Sequence, residues 1–513
     1  MRNFGLTGGR ASGPALALIL FIVGLGLVGH PNASGRQQKG ELEGLSPYVK
    51  GLLERLPVTP GLAVAVVRGD RIVYAEGFGR RDLKANLPVT PQTQFYIAST
   101  TKSFTATAVK LLADEGKLDL DAPIKKYFPD LALKPPLSAE QISLRDLLTH
   151  RSGIDNEPIT FRTAYTGQYD ADLILKLLAD YSRPVSPEYR YSNLGYVVAG
   201  YAVEKATGET WQRAVERKVL DPLGLTSTSC FASKAKAGGN LALPYRAENG
   251  GFTELPYKED NTMHAAGGIV SSAEDLAKWI IVNMNGGRLG GKQVIPAAAV
   301  EEILSPQINQ RRSFYKFKRY AYGLGWNIGT YDGEKLIHCF GEFPGFRPHV
   351  SFMPEHKIGV VVLANESADA SPLTDLIACD IYDHLLGKKP LRAEPNPLVD
   401  EFIANMKRER EARAKRTTPP AASPAAPTLE LKDYAGVYDN PEWGRLVVAF
   451  DSGSLSVKFG NLSSPLTHLS GDAFEARLKL VNPARLTFKA DPAAGASGLN
   501  MMGQTFTKLR PAP

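Results

Sequence analysis

The stretch FYIASTTKSFTATAVKLL, residues 95–112, decides how this chain is interpreted. Ser99 precedes Lys102 by three residues, which puts both side chains on one face at the start of a predicted helix. A serine is a weak nucleophile until a base takes its proton, and a lysine desolvated in a pocket can serve as that base. A capping serine before a surface lysine has the same spacing. The helix, from about residue 100, is expected to bury four apolar side chains on one face: Phe104, Ala108, Leu111 and Leu112.

A second candidate element is PEYRYSNLGYVVAGYAVEKATG, residues 187–208. Tyr191 and Asn193 stand two residues apart in a turn that leads into a helix ending near Gly208, so both can point into one cleft. A phenol can relay protons if nearby cations lower its pKa, and an amide can donate a hydrogen bond to a substrate carbonyl. The ordinary alternative is a core tyrosine followed by an N-cap asparagine.

The third element is HCFGEFPGFRPHVSFMPEHKIGVVVLANE, residues 338–366, which predicts a strand, a turn with glycine and a returning hairpin. The edge of such a strand can offer a backbone N–H to an oxyanion. A plain sheet hairpin would give the same pattern.

The remaining patterns predict a large α/β (α+β) domain at about residues 45–390. Residues 61–80 predict a β-hairpin around a turn at 68–70. The middle of the domain is mostly helical, and strands and a last helix return near its end. Predicted helices lie at 100–115, 143–149, 171–180, 194–207, 271–284 and 370–386, and predicted strands at 322–331, 334–340, 346–354 and 357–365.

Three further segments are predicted around this domain. Residues 1–34 combine basic residues, an apolar run and small residues, which is typical of a signal peptide for secretion or export to the periplasm, with an uncleaved membrane anchor as the alternative. Residues 391–428 hold a charged helix and a Pro/Ala linker. Residues 429–513 alternate apolar and polar side chains, which predicts a small antiparallel β domain.

Composition excludes several classes of function. The 513 residues carry a net charge of +7, concentrated at 310–319 and 406–416. Both segments are interpreted as solvated surface, and a membrane surface, the cell wall or a polyanion is the alternative partner. No nucleic-acid module is recognisable. The chain contains neither HExxH nor GxSxG, its histidines are scattered, and its three cysteines give neither a disulfide framework nor a CxxC metal site.

Together, Ser99-x-x-Lys102, Tyr191-x-Asn193 and the segment near 339 resemble the serine β-lactamase and penicillin-binding protein superfamily, in its class C β-lactamase, DD-peptidase and esterase branch. Flanking stretches are similar too: LLTHRSGI (147–154), AAGGIVSSAEDLAKW (265–279) and IGVVVLANE (358–366). The resemblance covers about residues 45–390. It implies a β-lactamase/transpeptidase-like fold, with an antiparallel sheet flanked by helices and a helical lobe. Residues 429–513 resemble a small β domain often appended to such hydrolases.

The resemblance also implies a mechanism. Ser99 would attack an amide or ester carbonyl and form an acyl-enzyme, while Lys102 and Tyr191 exchange protons with the reactants. By family position, the backbone N–H groups of Ser99 and Glu342 would form the oxyanion hole, and Asn193 would orient a small-molecule or peptide substrate. No metal or organic cofactor is expected.

One departure from the family pattern stands in the third motif. Without gaps, the family's Lys/His-x-Gly falls on Cys339-Phe340-Gly341, so a cysteine replaces the expected cation. His338 is the neighbouring candidate, but adjacent strand residues face opposite sides unless a bulge intervenes. Arg347 is a candidate substitute anchor for anions, with an ordinary surface arginine as the alternative. The loss of the cation predicts a site less suited to anionic substrates, and it leaves open a slowly acylating or non-catalytic penicillin-binding or sensing module.

Overall fold

The computed structural model describes residues 40–248, 250–314, 316–416 and 425–509. The predicted signal peptide at 1–34 lies outside these residues. Within them, no helix has the length and apolar character needed to cross a membrane. The helices are α1 Leu45–Arg55, α2 Thr101–Asp114, α3 Leu144–Leu148, α4 Glu157–Phe161, α5 Ala171–Tyr181, α6 Leu194–Thr207, α7 Trp211–Val215, α8 Asp221–Leu223, α9 Ala232–Ala237, α10 Ala273–Met284, α11 Ala297–Leu304, α12 Ala370–Leu385 and α13 Pro397–Arg416.

Strands occur in two groups. The first group comprises β1 Gly61–Arg68, β2 Arg71–Asp82, β3 Leu87–Pro88, β4 Phe95–Tyr96, β5 Ile154–Asp155, β6 Arg183–Pro184, β7 Tyr245–Glu248, β8 Gly251–Glu254, β9 Val270–Ser271, β10 Arg288–Leu289, β11 Lys292–Gln293, β12 Ile308–Phe314, β13 Phe317–Tyr322, β14 Asn327–Tyr331, β15 Glu334–His338, β16 Arg347–Met353 and β17 Ile358–Ala364. The second comprises β18 Gly436–Asn440, β19 Gly444–Asp451, β20 Ser454–Phe459, β21 Leu462–Ser470, β22 Ala473–Ala476, β23 Ala484–Asp491, β24 Gly495–Met501 and β25 Gln504–Lys508.

A nine-stranded sheet organises the larger part, in the order β12-β13-β14-β15-β16-β17-β1-β2-β3. Its N-terminal strand β1 pairs antiparallel with the C-terminal strand β17, so the sheet is made from both ends of the domain as expected. The prediction of strand 322–331 is wrong in its bounds, because β13 ends at Tyr322 and β14 begins at Asn327. The hairpin of β12 and β13, which the sequence analysis interpreted as solvated surface, extends the sheet at its edge.

Strand β1 is buried on both faces because a hydrophobic core lies on each side of the sheet. Ala63, Ala65 and Val67 belong to the core that contains α2, α6 and α10. The alternate residues, led by Val64, belong to the core that contains α1, α12 and α13. A fully apolar strand is what a sheet covered on both faces requires.

Residues 436–508 form a closed barrel of eight antiparallel strands. The small antiparallel β domain expected from the alternating pattern is therefore confirmed as a barrel. Aromatic side chains fill its interior, and Tyr434, Tyr438 and Phe474 are fully buried. The barrel thus has a packed core of the kind that eight strands accommodate.

The barrel packs against the larger part through α4 and the residues that follow it. The Phe161 ring lies 5.2 Å from Trp443 and 5.4 Å from Phe459 between ring centroids. The Arg162 guanidinium donates to the backbone carbonyls of Glu442 (2.8 Å) and Pro441 (3.2 Å). These contacts bury aromatic surface between the two parts.

Candidate active site

Ser99 lies in a tight turn, Ala98–Thr100, directly before α2. Ala98 adopts a φ of 45°, a conformation that a residue with a side chain rarely accepts. Such strain persists only where the surrounding structure enforces it, and it concentrates at functional sites. Here the surrounding contacts come from the chain after β15, because Thr100 Oγ1 donates to the Cys339 carbonyl at 2.9 Å.

Lys102 is buried in the first turn of α2, with a relative accessibility of 1%. Its Nζ lies 3.1 Å from Ser99 Oγ, 2.7 Å from Asn193 Oδ1 and 2.8 Å from the Ala266 carbonyl. Neither of the two fixed acceptors is a carboxylate. A neutral amine has two N–H bonds and one lone pair, so the two carbonyl oxygens can take the N–H bonds and leave the lone pair facing Ser99.

Burial lowers the pKa of Lys102 to about 7. The reason is desolvation, which penalises the charged ammonium, since no carboxylate among the described residues stabilises it. A group with this pKa is half deprotonated near neutral pH. It can therefore accept a proton there, which an ordinary lysine with a pKa above 10 cannot.

Tyr191 completes the contacts of the serine. Its hydroxyl donates to Ser99 Oγ at 2.6 Å. The Tyr191 residue as a whole is 46% accessible. Desolvation of its hydroxyl nevertheless raises the pKa of Tyr191 above the usual value, and the hydrogen bond to Ser99 opposes this effect. Tyr191 is thus a protonated donor at neutral pH. The net shift of the Tyr191 pKa is therefore opposite to the lowering by nearby cations that was expected from the sequence.

His150 holds the turn that carries Tyr191. The Ser192 backbone N–H donates to His150 Nδ1 at 3.2 Å, and the His150 ring lies 4.6 Å from the Tyr191 ring. Burial lowers the pKa of His150, so it remains a neutral acceptor. No local pattern in the sequence signals this contact, because His150 and Tyr191 lie 41 positions apart in the chain.

The strand edge after β15 runs against the backbone of Ser99. A Cβ placed on Gly341 would lie 2.4 Å from the Ile97 carbonyl and 3.1 Å from the Ser99 nitrogen. Only glycine allows that approach. It brings the chain at Glu342 beside the serine, which is the position that the resemblance assigned to the second oxyanion donor.

Cys339 and His338 do not line the cavity that contains Ser99. The Cys339 thiol lies beneath the serine, 3.5 Å from the Ser99 carbonyl oxygen, and burial raises its pKa to about 12. His338 faces away, buried and stacked 4.2 Å from the Phe340 ring. No bulge re-aims it, so the structure gives no support to a direct substrate contact by either residue.

Ser99 opens into a cavity of about 1160 Å³. Its walls include Tyr191, Asn193, Gly341 and Glu342 from the predicted site. Five arginines also line it, from three parts of the chain: Arg151, Arg311, Arg312, Arg319 and Arg347. Arg312 and Arg319 come from the hairpin of β12 and β13, and this contribution was not foreseen.

Arg347, the substitute anchor considered from the sequence, is buried rather than a free surface residue. Its guanidinium donates to the Gly341 carbonyl at 3.2 Å and lies 3.6 Å from Glu342 and 3.8 Å from Asp375. Its charge is therefore largely engaged within the protein.

A second cavity, of about 850 Å³, lies between the barrel and the larger part. Tyr165, Glu342 and Phe343 line both this cavity and the one that contains Ser99. The barrel contributes residues 480–485 to this second cavity, so it lies close to one end of the cavity that contains Ser99. Within the described residues, no cluster of histidine, cysteine or carboxylate side chains is arranged to hold a metal ion.

A family model described as Beta-lactamase matches residues 49–378, and a second, described as a domain of unknown function (DUF3471), matches residues 420–510. The chain belongs to the beta-lactamase family. The match contains Ser99, Lys102, Tyr191 and Cys339, and it ends before the barrel.

Relatives and solved structures agree with this membership. The chain is 29% identical to unguisins hydrolase ungD' of Aspergillus campestris over 79% of this chain and 77% of that protein. It is 26% identical to protein flp of Staphylococcus aureus, over 63% of this chain and 64% of the other. The octameric penicillin-binding protein homologue of Pyrococcus abyssi matches 91% of this chain and 100% of its own, with 25% identity and a TM-score of 0.59. The fold is also that of a class C beta-lactamase from Rhodobacter sphaeroides, which matches 67% of this chain and 98% of its own, with 22% identity and a TM-score of 0.54.

Proposed function

We propose that this protein is a serine hydrolase that cleaves amide or ester bonds through an acyl-enzyme on Ser99. One observation carries the proposal: Lys102 is buried, has two carbonyl acceptors and no carboxylate partner among the described residues, and lies 3.1 Å from Ser99 Oγ. A lysine in that setting is a base at neutral pH.

Each residue then has one role. Lys102 takes the proton of Ser99 as the oxygen attacks the substrate carbonyl. The N–H groups of Ser99 and Glu342 stabilise the oxyanion, each worth about 3–4 kcal/mol of the barrier. Tyr191, kept protonated by burial, delivers a proton to the leaving group and regains one from the Lys102 ammonium, so that the proton taken from Ser99 is accounted for by the leaving group. The side-chain oxygen of Asn193 accepts a hydrogen bond from Lys102, and its amino group can therefore donate to the substrate. Water then releases the acyl group from the serine.

The relatives support hydrolysis without defining the substrate of this chain. The Aspergillus campestris relative is named a hydrolase, and the family includes β-lactamases and penicillin-binding proteins. From the third motif alone, which lacks its cation at Cys339, we propose an ester or a peptide with a D-amino acid in preference to a β-lactam. The proposed location is outside the cytoplasm, on the basis of the signal-peptide pattern at residues 1–34.

A substrate panel on one preparation tests the proposal. Short-chain p-nitrophenyl esters, peptides with a C-terminal D-amino acid and nitrocefin are compared between the wild type and Ser99→Ala. Turnover of an ester or peptide that disappears in Ser99→Ala supports the proposal. A wild type that is labelled by a fluorophosphonate but turns over no substrate would instead favour the sensing module. Equal turnover in both proteins would refute the role of Ser99.

A further inference from the structure

Arg319 is an arginine that the structure leaves without a counter-ion. It lies on β13, lines the cavity of Ser99, and has no carboxylate within ion-pair distance among the described residues. Its Nε donates to His338 Nε2 at 3.2 Å, and that histidine is neutral because burial lowers its pKa. Buried or half-buried cations are normally paired, so an unpaired one facing a cavity indicates an anionic ligand.

The partner strand adds a second like charge. Arg312 stands directly opposite Arg319 in the pairing of β12 with β13, and it also lines the cavity. Like charges directly opposite each other destabilise a strand pair. Arg312 is exposed, so water screens part of this repulsion, and an anion in the cavity that interacts with both arginines would remove more of it.

The surrounding rings hold the Arg319 guanidinium in place. It lies 4.9 Å from the Phe314 ring and 5.8 Å from the Phe340 ring. Phe340 itself packs between the tilted rings of His338 (4.2 Å between centroids) and His349 (4.1 Å). A guanidinium held against aromatic rings loses less conformational freedom when a ligand binds, and such preorganisation favours binding.

The position of Arg319 indicates which part of a substrate it would meet. It lines the same cavity as Tyr189 and Tyr191, and its charge acts on both phenols. Tyr191 is the proposed proton donor to the leaving group. Because Arg319 and Tyr191 line one cavity, we assign the anion bound by Arg319 to the leaving group rather than to the acyl group that stays on Ser99.

We propose that Arg319, assisted by Arg312, forms a subsite for a carboxylate on the leaving group, and that this subsite replaces the cation missing at Cys339. This inference rests on the proposed function. It reverses the expectation from the third motif alone, because the positive charge comes from a hairpin of the sheet edge. Carboxylate suits a guanidinium because its two oxygens match the fork of N–H donors.

Three matched esters test the subsite. The first has 3-hydroxybenzoate as its leaving group, and the second has the neutral 3-hydroxybenzamide. The third keeps the neutral leaving group but carries a carboxylate at the far end of a glutaryl acyl chain. We expect kcat/KM to be roughly tenfold to a hundredfold higher for the first ester than for the second, the usual range for a charge-assisted hydrogen bond. A preference for the third ester over the first would overturn the orientation and with it the proposal.

Variants assign any preference to the arginine. Arg319→Gln should reduce the ratio of the first two kcat/KM values to near one, and Arg319→Lys should keep part of it. Lys318→Gln is the matched control, because it removes one positive charge from the same strand at an exposed position that does not line the cavity. The ratio should survive in this control. A ratio that is unchanged by Arg319→Gln, or equally reduced by Lys318→Gln, would refute the subsite.

A binding measurement separates this inference from the proposed function. Benzoate should raise the Tm of the Ser99→Ala protein more than benzamide does, and the difference should vanish when Arg319→Gln is added. If no ester is hydrolysed but benzoate stabilises the protein through Arg319, the proposed function fails and the subsite stands. If esters are hydrolysed without the expected charge preference, the subsite fails and the function stands.

Discussion

The lowered pKa of Lys102 predicts how the rate of acylation depends on pH, and the substitution Asn193→Asp tests this prediction. In the wild type, burial lowers this pKa to about 7, so the fraction of neutral lysine falls about tenfold for each pH unit below that value. The rate of acylation should therefore rise with pH and level off above about pH 8. Between pH 7 and pH 5 we expect a loss of roughly 50-fold.

Asn193→Asp places a carboxylate where Asn193 Oδ1 now lies 2.7 Å from Lys102 Nζ. Two unit charges 4 Å apart attract by about 4 kcal/mol at an effective dielectric of 20, or about three pKa units. The new carboxylate must itself be desolvated, so the net rise in the lysine pKa is about 1–3 units. The raised pKa favours the protonated lysine, and the ascending limb of the pH profile should move to higher pH by that amount.

The assay is the pre-steady-state release of p-nitrophenol, which reports acylation alone, between pH 5 and pH 10. Asn309→Asp is the matched control, because Asn309 lines the same cavity at an exposed position without a hydrogen bond to Lys102. Its profile should move by much less. A wild-type profile that is flat from pH 5 to pH 8, or a limb that stays in place in Asn193→Asp, would refute Lys102 as the base.

Three other predictions follow from the contacts of the site. Tyr191→Phe should slow turnover by roughly 10²–10⁴-fold while fluorophosphonate labelling persists, since a general acid is lost and the nucleophile is kept; equal activity would exclude the acid role. Iodoacetamide at pH 8 should leave ester turnover intact, because the Cys339 thiol is buried with a pKa of about 12; rapid inactivation with modification of Cys339 would contradict this. Deleting residues 417–513 should leave a folded but less soluble domain, because Phe161 would lose its contact with Trp443 and become exposed to water. If the domain boundary is wrong, calorimetry of the truncated protein would show no unfolding transition.

Local patterns were sufficient for the elements that carry the serine. The apolar spacing after Ser99 predicted α2, and three of its expected core residues, Phe104, Ala108 and Leu112, are buried. The all-apolar run of β1 predicted a strand, since a chain buried on both faces needs apolar residues at consecutive positions. The alternation after residue 429 likewise predicted a β domain, and its closure into a barrel could not be read from alternation because open and closed sheets share that period.

The parts that could not be predicted depend on contacts distant in sequence. The segment with Arg312 and Arg319 has a charge pattern typical of solvated surface, and only the strand order of the sheet edge brings it to the cavity. The contact of His150 with the turn of Tyr191 is equally non-local. For Lys102 the sequence left open a lysine desolvated in a pocket or a surface lysine, and its burial and two carbonyl acceptors show that it lies in a pocket.

A covalent acyl-enzyme on Ser99 can be trapped and identified by its mass. The protein is mixed with a p-nitrophenyl ester, quenched in acid within the first turnover, and its intact mass is measured before peptide mapping. We predict a mass gain equal to one acyl group, located on the peptide that contains Ser99, and no gain in Ser99→Ala. An acyl group on any other residue, or ester turnover that persists in Ser99→Ala, would exclude Ser99 as the nucleophile.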